Sequence, residues 1–293
     1  MKNEQETNPD PVTICLRQAI KDAMQQTSIK DEVSRFESSV SGGKMLRGRL
    51  VLELGSLSGL SNQTLGRLGA AIELLHAGSL LHDDIIDGGV ERRNVSALWV
   101  SDGIKSAVII GDLLLSVALS LISENAPKRI PLMIRALREM CDAEAEQEFT
   151  SLGDDSSWEN CIRIARRKTG ILFGLAAACA AGENMKLAEA LEGAGIDLGT
   201  AYQLADDLLD TCPEISADGK SMGTDATTGK LTAATFENDE EIDAIAEIDI
   251  LLSSAESRLQ EWPEIQQLWN IYISSYIKPV TDRFIKLSKS TEG

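Results

Sequence analysis

Apolar positions recur every three to four residues along most of this chain, a period that predicts helices. From Val12 to Met24 the run VTICLRQAIKDAM lays its apolar residues on one helical face, after a start signal at Asn8, Pro9 and Asp10. Ser41, Gly42 and Gly43 break the chain, and KMLRGRLVLELGSLSGL opens a second helical segment. A third runs from Gln63 to Ile86 and is closed by Gly88 and Gly89, as a helix C-terminus favours. Residues 130–152, Trp158 to Ala181 and Leu191 to Asp210 read as further helices. No proline falls between Pro11 and Pro127 or between Pro131 and Pro213, which fits long helices because their interiors exclude proline. No run of alternating β-branched residues predicts a strand, and no internal sequence repeat is present. The expectation is an all-α fold, with residues 1–10 a disordered N-terminus and 11–293 a single domain.

Composition narrows the function. With 293 residues and 43% hydrophobic content, the chain can bury a sizeable core. A net charge of −18 lacks the basic footprint of non-specific nucleic-acid binding, so no nucleic acid is expected as a partner. The five cysteines show no CxxC spacing and an odd count, which points to a reducing, cytoplasmic setting. The start MKNEQETNPDP lacks the basic and apolar regions of a signal peptide. The longest apolar run, Ile109 to Ile122, contains Asp112 and Ser116 and is shorter than the roughly 20 residues of a membrane span. No transmembrane segment is expected.

The candidate chemistry lies in His76 to Arg93, HAGSLLHDDIIDGGVERR. Asp83 and Asp87 fall one turn apart on one helical face, with Asp84 beside them. Three carboxylates so close repel one another, and Mg²⁺ offsets such charge while bridging to phosphate oxygens. One cluster alone also fits a solvated helix end. A second of identical spacing, Asp206, Asp207 and Asp210, ends another apolar helical run. Basic residues follow both: Arg92 and Arg93 after the first, Lys220 and Lys230 after the second. If the two helix ends face each other, their carboxylates can hold several Mg²⁺ ions around a diphosphate. Lys44 and Arg47 share a helical face just behind Gly42 and Gly43, where an anion can approach the backbone closely. His76 lies two turns before Asp83 on nearly the same face, whereas His82 points elsewhere, so the histidines form no metal pair. Lys168 and Thr169 form a polar pair entering an apolar wall, as pocket-lining residues often do.

These motifs, in order over residues 40–235, resemble those of the trans-isoprenyl diphosphate synthases, or polyprenyl synthetases. GGKMLRG (42–48) is similar to the family's GGKRLRP, and HAGSLLHDDIID with its trailing arginines to the first aspartate-rich motif. Lys168-Thr169 matches the KT pair, YQLADDLLD the second aspartate-rich motif, and GKSMGTDATTGKLT the following lysine loop. The resemblance implies an isoprenoid synthase fold, a bundle of long helices around a deep central cavity, usually a homodimer. It implies that Asp83, Asp84, Asp87, Asp206, Asp207 and Asp210 bind Mg²⁺, three ions in all, which grip an allylic diphosphate. Arg92, Lys168, Gln203, Lys220 and Lys230 would contact that substrate. Lys44, Arg47, His76 and Arg93 would hold isopentenyl diphosphate, and Thr169 and Gln203 would lie near the reacting carbocation. Met45 stands where the family has arginine, Gly48 where it has proline, and Trp99 near the place of a histidine.

In that family the product tail grows down the helix of the first motif, and a bulky fifth residue before the first aspartate acts as its floor. Here that residue is Gly78, next to Ser79, with Leu74 and Leu75 one turn below as a later floor. One turn rises about 5.4 Å, close to one isoprene unit, so open space at Gly78 implies a long-chain polyprenyl diphosphate. Geranylgeranyl or farnesyl diphosphate is the shorter alternative. A class I terpene cyclase is disfavoured by the second DDxxD, and a non-catalytic regulatory subunit by the intact aspartates.

Overall fold

The computed structural model describes residues 10–31, 43–92, 95–149, 156–210, 231–236 and 242–281. Helix α1 (Pro11–Met24) starts where Asp10 accepts the Val12 and Thr13 N–H groups, with proline at the first position, where no N–H is needed. Asp10 also pairs with Arg49, so it belongs to the folded body and not to the disordered N-terminus expected of residues 1–10. Residues 1–9 lie outside the described residues.

Helix α2 spans Leu46–Gly55 and α3 Asn62–Ile86. Ser61 caps α3 by accepting the Thr64 N–H, and Gly88 turns the chain at its far end with φ +66°. Two short strands follow, β1 (Glu91–Arg92) and β2 (Val95–Ser96), paired antiparallel with Glu91 opposite Ser96. Strands of two residues are too short for any alternation to show, which is why the sequence pattern misses them.

After the single turn α4 (Leu98–Ser101) comes α5 (Ile104–Asn125), packed along α3. Gly111 permits the close crossing, since a Cβ there would meet the His82 ring at 2.3 Å. Helix α5 is longer than the apolar run read from the sequence. Its 22 residues include an 18-residue window with a mean hydropathy of 2.1, enough by length and composition alone to cross a bilayer, a test that buried core helices also pass. The pattern underestimates its length because Lys105 and Glu124 flank the apolar run without ending the helix. One face, through Ala107, Leu114 and Ala118, is buried in the core.

Helix α6 covers Ile130–Phe149 and α7 Trp158–Ala165. The single helix expected over 158–181 is instead α7, a π-helical turn at Arg166–Gly170, and α8 (Ile171–Ala180). Every residue of α8 is buried, and it packs against α2, α3, α6 and α9 (Met185–Asp210). Its contact with α9 is tight, for a Cβ on Gly195 would sit 2.5 Å from the Phe173 carbonyl oxygen. Helix α10 (Ala244–Ser257) covers α9, and α11 (Pro263–Tyr272) ends in a second π turn, Ile273–Ile277. Among the described residues the protein is therefore all-α apart from one small hairpin, with α8 as a buried axis.

Candidate active site

The last turn of α3 carries Asp83 and Asp84, and Asp87 is its C-cap residue. Gly88 and Gly89 reverse the chain, the hairpin returns it, and Arg92 reaches back to Asp84 with Nε at 2.8 Å. Trp99 fastens this loop by donating its indole N–H to the Gly89 carbonyl at 2.7 Å. Burial pushes the Asp83 carboxyl from 3.8 up to about 6; Lys168 opposes the rise, while Glu144 and Asp87 add to it. Lys168 thus stands opposite the first cluster, on the π turn.

That turn is anchored residue by residue. Arg166 donates to Asp197 of α9 at 3.0 Å, and Arg167 to Glu139 and Glu146 of α6 at 2.7 and 2.8 Å. Lys168 donates to Gln147 Oε1 at 2.8 Å and pairs with Glu144. The Thr169 hydroxyl donates to Gln203 Oε1 at 2.7 Å. A π turn inserts a residue into a helix and often marks a functional site. Here it presents neighbouring side chains to α6 and α9 at once.

From Gln203 the network continues into the second cluster. Gln203 Nε2 donates to Asp207 Oδ1 at 2.6 Å, and Asp207 Oδ2 accepts the Ala233 N–H at 3.1 Å. Asp207 therefore latches the segment after the lysine loop onto α9. Asp206, beside it, is one of the charges felt by Arg47. The Arg47 guanidinium lies over the Phe173 ring at 4.5 Å. Lys44 is exposed at the start of α2, and half-buried His76 accepts the Ser79 hydroxyl at its backbone carbonyl, 2.8 Å away.

The structure thus joins Asp83, Asp84, Asp87, Arg92 and Lys168 on one side to Thr169, Gln203, Asp206 and Asp207 on the other. Arg93, Lys220 and Lys230 lie outside the described residues, as does the side chain of Asp210. Gly78 requires a correction. It faces no open space: a Cβ there would come 3.0 Å from the Gly111 carbonyl oxygen and 3.2 Å from Leu115 on α5. Leu74 and Leu75 are wholly buried in the core.

Sequence reasoning passes over Glu144 and gives Gln147 no role. Their spacing of three on α6 puts them on one face, the signal that could have found them. Among the described residues, no three His, Cys, Asp or Glu side chains form a closed metal cage. The carboxylates of the first cluster would suit Mg²⁺, which takes one or two carboxylates and completes its shell with water and phosphate oxygens. Burial is the main cause of the rise at Asp83, and the Glu144 and Asp87 carboxylates that add to it are charge such an ion would neutralise.

Fold and site together define an all-helical protein in which one π turn links the lysine that acts on the first carboxylate cluster to the hydrogen-bond network of the second. The polyprenyl synthetase family model matches residues 33–268. A probable farnesyl diphosphate synthase of Bradyrhizobium diazoefficiens is 32% identical over 79% of this chain and 74% of its own length. An octaprenyl diphosphate synthase of Haemophilus influenzae is 31% identical over 65% of this chain and 59% of its own. Among solved structures, a polyprenyl synthase from Caulobacter crescentus CB15, in complex with calcium and isoprenyl diphosphate, superposes with a TM-score of 0.67. It is 27% identical and covers 90% of this chain and 88% of its own. The chain belongs to the polyprenyl synthetase family and has the isoprenoid synthase fold.

Proposed function

We propose that this protein is a Mg²⁺-dependent prenyltransferase that condenses isopentenyl diphosphate with an allylic diphosphate. The observation that carries the reading is the π turn, where the Lys168 charge acts on Asp83 while the Thr169 hydroxyl donates to Gln203, which donates on to Asp207 of the second cluster. Asp83, Asp84, Asp87 and Asp206 would hold Mg²⁺, with Asp210 as a further ligand, three ions in all. When bound, these ions stabilise charge on the departing pyrophosphate.

Arg92 and Lys168, with Lys220 and Lys230, would bind the allylic diphosphate; Lys44, Arg47, His76 and Arg93 would bind isopentenyl diphosphate. As the allylic C–O bond breaks, its electron pair leaves with pyrophosphate. The Thr169 and Gln203 oxygens supply dipoles beside the resulting cation. The isopentenyl double bond attacks that cation, a proton is lost to pyrophosphate, and a new double bond forms one unit further on. Gly78 gives no support to a long-chain product, because it packs on α5. The test is incubation of purified protein with Mg²⁺, isopentenyl diphosphate and geranyl, farnesyl or geranylgeranyl diphosphate. Chain extension of at least one primer is expected, and none with any of the three would overturn the reading.

A homodimer accompanies this proposal. Ile104, Val108, Ile109 and Leu119 of α5 are 54%, 40%, 64% and 41% exposed, a stripe that a second copy would bury. Light scattering should give twice the chain mass, and Ile109→Glu should halve it.

A further inference from the structure

Glu73 is a carboxylate inside the apolar run AAIELLHAG, only 6% exposed. Its Oε1 accepts the Gly48 N–H at 2.7 Å. Gly48 is the third residue of α2, and a helix start leaves its first N–H groups without intrahelical partners. Met45, which precedes α2, is left-handed with φ 48° and provides no side-chain cap. Glu73 therefore supplies from α3 what a capping side chain supplies locally. The approach is close, since a Cβ on Gly48 would stand 3.0 Å from Glu73 Cγ and 2.9 Å from Leu16. One residue earlier, Arg47 stacks on Phe173 and its Nε has no hydrogen-bond partner among the described residues. Burial pulls the Arg47 pKa down, and Glu73 leads the neighbours that push it back.

We propose that Glu73 is a positioning residue for the isopentenyl diphosphate site, tying down the first turn of α2 so that Arg47 is held on Phe173 and directed at that diphosphate. This rests on the assignment of Arg47 to isopentenyl diphosphate. Loss of this hydrogen bond to a charged acceptor should weaken the hold on isopentenyl diphosphate roughly tenfold. Steady-state kinetics on Glu73→Ala and Glu73→Gln, with each substrate varied in turn, separates the possibilities.

Glu73→Ala should raise KM for isopentenyl diphosphate about tenfold and leave KM for the allylic diphosphate within about threefold. Glu73→Gln, whose amide oxygen still accepts the Gly48 N–H, should recover most of the loss. A parallel rise in both KM values, or a folded Ala variant with unchanged KM, overturns the proposal. Should Glu73→Ala fail to fold, Glu73→Asp replaces it. That carboxylate is drawn back by one methylene, so an unchanged isopentenyl diphosphate KM again overturns the idea. If the unaltered chain condenses nothing, the functional reading has failed. Glu73 is then judged by calorimetric binding of isopentenyl diphosphate to the same variants, weaker with Ala and recovered with Gln.

Discussion

Arg92 holds Asp84 through two nitrogens, at 2.8 and 2.7 Å, so the first carboxylate cluster is closed by the chain's own cation. Asp84 is only 5% exposed, and removing its partner leaves a charge with little water around it. Arg92→Met should lower the stability of the metal-free protein by about 1–3 kcal/mol. An ion bound at the cluster takes over the same carboxylate, so saturating Mg²⁺ with pyrophosphate should recover part of that loss. Urea unfolding of both proteins in both conditions checks this. Equal losses with and without the ion would mean that Asp84 never passes to the metal.

The second cluster divides its labour between neighbours. Both Asp207 oxygens are engaged, one by Gln203 and one by the Ala233 N–H, whereas Asp206 lies within the field of Arg47. Asp206→Asn should cost about 10²–10³ in kcat, the loss expected when a group that stabilises transition-state charge is removed. Asp207→Asn should keep turnover within about tenfold and instead lower the unfolding midpoint, since a half-buried hydrogen-bonded latch loosens. Asp83→Ala belongs with Asp206 and should nearly abolish turnover while the helices stay folded by circular dichroism. The reverse order of effects at 206 and 207 would assign the metal to Asp207.

Gly78 gives a prediction opposite to the one its sequence position invites. A side chain there meets the α5 backbone at Gly111, not a growing hydrocarbon tail. Gly78→Phe should therefore destabilise the protein by about 1–3 kcal/mol or more through overpacking, with lower yield of folded protein. Thermal unfolding together with product analysis decides between the two. A shorter product at unchanged stability would restore Gly78 to the role of ruler.

Much of this architecture was legible in the sequence, and for identifiable reasons. The helical period is plainest in elements that bury one face, such as α1, and the cap at Asp10 and the glycine stop at Gly88 mark ends by local chemistry. The carboxylate clusters, Lys168 and Gln203 were legible because charged residues at helical spacing stand out against apolar runs. What stayed hidden depends on tertiary approach. Neither the π turn at Arg166–Gly170 nor the close crossing at Gly111 has a periodicity of its own. Glu73 was overlooked because a single carboxylate in a long apolar helix gives no sign of the N–H it faces 25 residues earlier.

Acid should separate the folding of this protein from its use of metal. Asp83 titrates near 6 rather than 3.8, chiefly through burial, with Glu144 and Asp87 adding to the rise against Lys168. Between those values the folded chain holds a proton that the unfolded chain has lost. More protons bound in the folded state means that stability falls as pH rises through this window and is highest at its acid end, as far as this group is concerned. Metal binding runs the other way, because an ion needs the charged carboxylate; its affinity should fall by up to about tenfold per pH unit below 6. Calorimetric titration of Ca²⁺ or Mg²⁺ alone at about pH 5 and about pH 7.5 should show this dependence. Asp83→Asn should bind the ion weakly at both, with its own pH slope largely removed. In thermal unfolding the same variant should lose the decline in stability that the parent shows between 3.8 and about 6. A variant that keeps both slopes would mean that another carboxylate of the cluster carries the proton.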